Sequence, residues 1–376
     1  MKKIIACIMS VLCLAALAAP AVQAQERVFP AAQEFFPKGK AMPWYYVPLT
    51  EIFFVYWGTM TGNVFSDSVL VLHKGELIYE RYARGWDKDT THQMYSVTKS
   101  VLSALVGVAI QDEKLTGVDQ KVYTFFDDVE IPPGQESKYD ITIEHLLNQS
   151  SGLPGDSDKE TDQYTWWEAE DTGKAAFEIP QYCAPGERHS YSSGPGMQTL
   201  AGLLRRAVGE DLLTYARRKL FTPLGMTSVE WDAAPDGLRY GGFGMSMTPR
   251  DMMRLGYLYL HNGNWDGQQI IPAWYVAATP PPSPLNKDYG YAFWYFTRNL
   301  PKYNSGYSAS GSFGQFICVL PDQDVVMVRT GSPGPIASGM NRAAYRSSAM
   351  EYVFLHWILP LLPFRGVPLD YLRGLL

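Results

Sequence analysis

A chain of 376 residues with 46% hydrophobic content can bury a large core, which excludes a disordered tail or a crosslinked mini-protein. Its 32 Lys and Arg against 38 Asp and Glu give a formal charge of -6 with no long run of either sign, so nucleic acid is not an expected partner. His and Cys are scattered without metal-ligand spacing, which argues against a dedicated zinc site, and no cofactor is implied.

The chain opens on Met1-Lys2-Lys3, continues through the apolar stretch 4–22 and reaches the small-residue site Val22-Gln23-Ala24. Charge, apolar run and small residues in that order are the layout of a secretory signal peptide, so residues 1–24 are expected to be removed on export to the periplasm or beyond. The other reading is an uncleaved anchor, because the stretch approaches the roughly 20 residues that span a bilayer. Cys183 and Cys318 would remain in the mature chain, and their apolar flanks favour free thiols over a disulfide.

Beyond a Pro- and aromatic-rich entry, the β-rich runs 69–72 and 77–80 flank His73-Lys74-Gly75-Glu76 and predict a hairpin. A polar loop follows at 87–93. Val97, Val101, Leu102, Leu105, Val108 and Ala109 then recur at helical spacing, which places Ser96 at the start of an inward-running helix. Helical stretches are predicted at 143–148, 196–208 and 212–220. A second hairpin joins 316–320 to 325–328 through Pro321-Asp322-Gln323-Asp324, and a final helix covers about 342–359. The expected fold class is α/β (α+β): one antiparallel sheet built from both chain ends, flanked by helices, with an inserted mainly helical domain. The sheet domain would comprise 25–110 and 285–376 and the helical one 111–284, with the active site between them.

A serine hydroxyl needs a base before it can act as a nucleophile. No G-x-S-x-G elbow occurs in this chain. Ser96-Val97-Thr98-Lys99 is the alternative it offers, since residues three apart share one helix face and can bring Ser96 Oγ to Lys99 Nζ. The backbone N–H of Ser96, at a helix start, would be free to receive an oxyanion. Taken alone, the Ser-x-x-Lys spacing is matched about as often by chance, and the plain alternatives are a helix N-cap for Ser96 and a solvent-facing Lys99.

With these residues in place the sequence resembles the serine β-lactamase and penicillin-binding-protein superfamily, in the class C-like branch that holds esterases and amide hydrolases. The resemblance runs from about 69 to 359. It implies Ser96 as the acylated residue and Lys99 as its proton partner. Tyr191-Ser192-Ser193 stands for the second motif, Tyr-x-Asn, with Tyr191 as general acid/base, its phenolate stabilised by the neighbouring ammonium. Ala309-Ser310-Gly311, followed by Ser312, stands for Lys-Thr-Gly at the sheet edge. The implied oxyanion donors are the N–H groups of Ser96 and Ser312, with Ser193, Ser310 and Gly311 as further substrate contacts.

Two departures from the pattern shape the expectation. Ser193 replaces the Asn of the second motif. Ala309 replaces the Lys of the third, which removes a cation that helps hold the carboxylate of a penicillin or cephalosporin and shifts the expected substrate toward small-molecule esters or amides. Arg298 or Lys302 could supply that cation, or be solvated surface charges. Two alternatives stay open: a β-lactamase or D-amino-acid peptidase, and a non-catalytic binding or sensor protein that keeps the pocket. His189 is expected to be structural rather than a partner of the nucleophile. Trp166, Trp167, Tyr289, Tyr291 and Trp294 could line a substrate cleft or belong to the core.

Overall fold

The structure is a computed structural model that describes residues 29, 34–39, 64–158, 165–279, 283–295 and 305–333. The signal sequence, Arg298, Lys302 and the helix expected at 342–359 lie outside the described residues.

Strand β1 (Val64–His73) turns back into β2 (Glu76–Tyr82) through Lys74 and Gly75, both at positive φ (53° and 77°). That two-residue turn matches the twist of the strands it joins, and Gly75 is there because it takes the left-handed conformation without cost. A short β3 (His92–Gln93) leads into helix α1 (Val97–Gln111). The helical middle of the chain follows, with α2 (Ile143–Leu147), α3 (Thr172–Glu178), α4 (Pro195–Val208) and α5 (Leu212–Ala216). Next come β4 (Glu230–Trp231), β5 (Met245–Met247), α6 (Pro249–Leu260), β6 (Asn264–Trp265), β7 (Gln268–Gln269) and α7 (Ala273–Ala278). The described chain ends on β8 (Tyr289–Gly290), β9 (Phe293–Tyr295), β10 (Tyr307–Gly311), β11 (Gln315–Leu320) and β12 (Val325–Pro333).

Seven strands form one antiparallel sheet in the order β2-β1-β12-β11-β10-β9-β8, so the early hairpin joins the late strands through β1 and β12. A register shift between Ser66 and Ser68 bulges β1 and leaves Asp67 without a partner across β12. Helix α6 packs on this sheet so closely that a Cβ at Gly256 would stand 2.5 Å from Val326 Cγ1. Its start is set by Pro249 at the first turn and by Thr248, whose hydroxyl accepts the Asp251 N–H.

Helix α1 is buried from Val97 to Ala109 on every side, lying between β10 and β11 and the helix α4. The apolar spacing predicts a helix with one polar face. That face is buried too, because its polar groups find partners: Ser100 Oγ donates to Ala292 O at 2.6 Å and Ser103 Oγ stands 2.9 Å from Tyr275 Oη. The predicted helices at 143–148 and 196–208 correspond to α2 and α4, while that at 212–220 is α5 followed by a single π-type turn at Arg217–Phe221. One continuous apolar core joins the sheet-covering helices to the helical middle, which fixes α1 and its first residues rigidly between them. Cys183 and Cys318 are both free thiols; Cys318 is buried as expected and Cys183 is half-buried.

Candidate active site

The chain enters α1 through a strained corner. Tyr95 adopts φ 47°, a left-handed conformation that a side-chain-bearing residue holds only when its surroundings enforce it. Here β3 is pinned to β5, and the Tyr95 ring rests edge-on against Phe313 with centroids 5.3 Å apart. Ser96 follows at φ -70°, ψ -8° and makes no side-chain cap bond to the helix. Its Oγ instead accepts a hydrogen bond from Lys99 Nζ at 2.9 Å. Its N–H makes no hydrogen bond among the described residues.

Lys99 is 1% exposed, so the solvent-facing alternative does not hold. Besides Ser96 Oγ, its Nζ donates to Ser193 Oγ at 3.0 Å and to Gly242 O at 3.0 Å. Three acceptors around one nitrogen match the three N–H groups of an ammonium. The same nitrogen lies 4.7 Å from the centre of the Tyr191 ring. Lysine and tyrosine therefore meet through the ring face, a cation–π contact, rather than through a hydrogen bond to the phenol.

Ser193 is held from its far side. Asp156 accepts the Ser193 N–H at 2.6 Å and the Ser193 Oγ–H at 2.7 Å, while the Asp156 N–H donates to Tyr191 O at 2.7 Å. Gln149 holds the intervening residue, accepting the Ser192 N–H at 2.8 Å and donating to Ser192 O at 3.2 Å. Neither Asp156 nor Gln149 is marked by any motif in the sequence; both come from loops whose approach to 191–193 is tertiary. Gly242 is required by the same crowding, since a Cβ there would lie 2.2 Å from Ser193 O. Gly242→Ala is expected to displace both that carbonyl and the acceptor on Lys99, lowering kcat about 10²-fold in a protein whose circular dichroism is unchanged. A variant with parent-like kcat would show that the site tolerates the shift.

At the other side of Ser96, β10 ends on Gly311, in extended backbone at φ -133° and ψ 161°, where a Cβ would meet Met94 O at 2.3 Å. Glycine is needed there for close approach, not for its torsion angles. Ser312 follows, then Phe313 at φ 60° and Gly314 at φ 77°. Arg329 on β12 secures this turn, donating to Gly314 O at 2.6 Å and to Phe313 O at 3.2 Å. Ala309 is buried opposite Ile317, and Ser310, also buried, has its Oγ 3.0 Å from Ser308 Oγ. The structure thus joins Ser96, Lys99, Tyr191 and Ser193 through direct contacts. It brings the Gly311 backbone against Met94, two residues before Ser96, and gives the Ser310 side chain a neighbour on its own strand.

The aromatic candidates divide. Trp166, Tyr289 and Tyr291 are core residues, whereas Trp167 and Trp294 are half-exposed. Trp294 packs on Tyr191 with ring centres 5.6 Å apart, and Trp167 stacks on Phe243, the neighbour of Gly242, at 5.5 Å. His189 Nδ1 lies 3.1 Å from Asn148 O, and burial pushes its pKa down, consistent with a structural imidazole.

The profile of the family named Beta-lactamase matches residues 54–346. A 6-aminohexanoate-dimer hydrolase from Paenarthrobacter ureafaciens is 25% identical over 294 residues, covering 72% of this chain and 74% of the relative. Among solved structures, a Bacillus anthracis protein provisionally assigned as a 6-aminohexanoate-dimer hydrolase superposes with a TM-score of 0.67 at 19% identity, over 90% of this chain and 91% of its own. EstCE1, described as a hydrolase with promiscuous acyltransferase activity, superposes with a TM-score of 0.62 at 16% identity, over 82% of this chain and 98% of its own.

Proposed function

This chain belongs to the Beta-lactamase family, and on that premise we propose that it is a serine hydrolase acting on carboxylic esters or amides through an acyl-enzyme on Ser96. The observation that carries the reading is the single nitrogen of Lys99, buried and within hydrogen-bond distance of both Ser96 Oγ and Ser193 Oγ. A buried cation in contact with a half-exposed hydroxyl, on a helix that is otherwise sealed, is costly to maintain for stability alone.

In the proposed reaction Ser96 Oγ bonds to the substrate carbonyl carbon, Lys99 and Tyr191 serve as the general acid/base pair that takes up its proton, and a proton is delivered to the departing alcohol or amine as the C–O or C–N bond breaks. The N–H groups of Ser96 and Ser312 receive the carbonyl oxygen as it becomes negative. Water then attacks the ester on Ser96, the same groups carry the proton back, and the free acid leaves. The hydrolytic class fits the family. The preference for esters or amides over β-lactams rests on Ala309, a buried residue of β10 that stands in the sequence where the resemblance puts the third-motif lysine. The relative named as a 6-aminohexanoate-dimer hydrolase supports the same preference.

Intact-mass spectrometry of the purified protein tests this directly. A fluorophosphonate is expected to add once per chain, on the peptide carrying Ser96, and short-chain nitrophenyl esters to be turned over at least tenfold faster, by kcat/KM, than a chromogenic cephalosporin. Faster cephalosporin turnover would return the assignment to a β-lactamase, and stoichiometric labelling without turnover of any ester, amide, D-peptide or β-lactam would make the chain a binding protein.

A further inference from the structure

Ser193 has one hydroxyl proton, and the structure commits it: Oγ donates to Asp156 Oδ2 at 2.7 Å while Asp156 Oδ1 takes the Ser193 N–H at 2.6 Å. With its proton on the carboxylate side, Ser193 Oγ can only accept from Lys99, which stands 3.0 Å away. The polarity of the chain Lys99 to Ser193 to Asp156 is therefore fixed from end to end, and it terminates on a negative charge. The Asp156 N–H adds a further bond to Tyr191 O at 2.7 Å, so one residue clamps both ends of the segment that carries Tyr191 and Ser193.

We infer that Asp156 is a positioning residue for the Ser96 reaction: acting through the Ser193 hydroxyl, it orients the Lys99 nitrogen. This rests on the acyl-enzyme reading given above. The substitution of Ser for Asn in the second motif then has a physical counterpart. An asparagine amide can offer Lys99 a carbonyl oxygen unaided, whereas a serine hydroxyl presents a dependable acceptor only if something else takes its proton, and Asp156 does.

The neighbouring charges do not duplicate this role. Asp158 accepts the Gly155 N–H and the Ser190 hydroxyl and is paired with Arg188 at 2.8 Å. Tyr289 packs behind Tyr191 with ring centres 5.8 Å apart and is kept a neutral phenol by burial. Lys99 itself faces the hydroxyls of Ser96 and Ser193, the carbonyl of Gly242 and the ring of Tyr191. Among the described residues no Lys, Arg or His forms an ion pair with Asp156, so the carboxylate charge is directed along the Ser193 hydroxyl.

Asp156→Asn reverses the middle of the chain. To keep the Ser193 N–H satisfied, the amide must turn its NH2 toward Ser193 Oγ, and two donors then converge on one hydroxyl. For nitrophenyl acetate we expect kcat to fall about tenfold or more with KM within about twofold. Asp156→Glu should recover part of the loss. In a Ser193→Ala background, Asp156→Asn should change kcat less than twofold, since the connecting hydroxyl is gone. Thermal midpoints and circular dichroism of all variants establish that they fold; Asp156 is exposed, so the isosteric change leaves the core untouched.

Parent-like kcat in Asp156→Asn would overturn the inference. So would a loss of equal size with and without Ser193, which would mean that Asp156 shapes the loop alone. Fluorophosphonate labelling of the unsubstituted protein keeps this separate from the wider reading: no label on Ser96 removes the acyl-enzyme itself, whereas normal labelling with an indifferent Asp156→Asn removes only the positioning role.

Discussion

Replacing Ser96 with alanine is expected to lower turnover of nitrophenyl esters by at least about 10⁴-fold and to abolish the fluorophosphonate adduct. The size of the effect follows from the role proposed for the hydroxyl: without it no bond to the acyl carbon can form, and only the proposed oxyanion donors and binding remain. The cost to stability should be small by comparison. Ser96 Oγ caps no helix N–H and is half-exposed, and its loss leaves Lys99 with Ser193 Oγ and Gly242 O as acceptors. A drop of about 1 kcal/mol, read from urea denaturation, is the order expected for one hydrogen bond. Undiminished esterase activity in purified Ser96→Ala would remove the proposed nucleophile altogether.

The largest expected loss of stability lies elsewhere, at Asp67. The bulge in β1 directs this residue into a fully buried position, where Oδ1 pairs with Arg84 and accepts the Ser332 hydroxyl at 3.1 Å and Oδ2 stands 3.5 Å from His92 Nε2. Nearby Arg329 is equally buried; burial pushes its pKa down to about 10, and the Asp67 charge opposes that shift. Asp67→Ala would leave the Arg329 guanidinium without this anion, at a cost of about 3–5 kcal/mol in denaturant unfolding. Because Arg329 also holds Phe313 O and Gly314 O, activity should decline with stability as the turn after Ser312 loosens. Asp67→Asn with Arg329→Met should cost less than the sum of those two single changes, since each single change deprives the other residue of a nearby opposite charge in the same buried region. Additive losses would show that the two residues do not compensate one another.

Both hairpins were legible in the sequence because each is a local object: β-branched runs around Lys74-Gly75 or around Pro321 to Asp324 carry their own turn chemistry. Helix α1 and the approach of Lys99 to Ser96 were legible for the same reason, both residues lying within one turn. Helix α6 was not read, although Thr248-Pro249 is a sound start signal. Its apolar residues include Met252, Met253, Leu255 and Leu258 among Tyr257 and Tyr259, an almost unbroken run whose helical period is hard to see. Asp156, Gln149 and Gly242 were invisible for a different reason. Asp156 and Gln149 reach the site from the loop after α2 and Gly242 from the one before β5, so their roles exist only once the tertiary contacts to 191–193 have formed. The resemblance to known motifs located Tyr191 and Gly311. It could not show that lysine meets the tyrosine through its ring face, or that the Ser310 hydroxyl lies beside Ser308.

The pairing of β1 with β12 has a consequence for how the molecule comes into being. Val64 aligns with Pro333 and His73 with Val325, so the first described strand finds its neighbour only near the end of the described chain. During synthesis β1 and β2 can form a hairpin within a few residues, but that hairpin waits as an open edge until some 250 further residues have emerged. The turn after Ser312, secured by Arg329 from β12, is completed at that same late moment. Assembly of the sheet and completion of the candidate site are thus one event, and a chain stopped short of β12 would expose an unpaired hairpin prone to aggregate and would lack the support of the turn after Ser312.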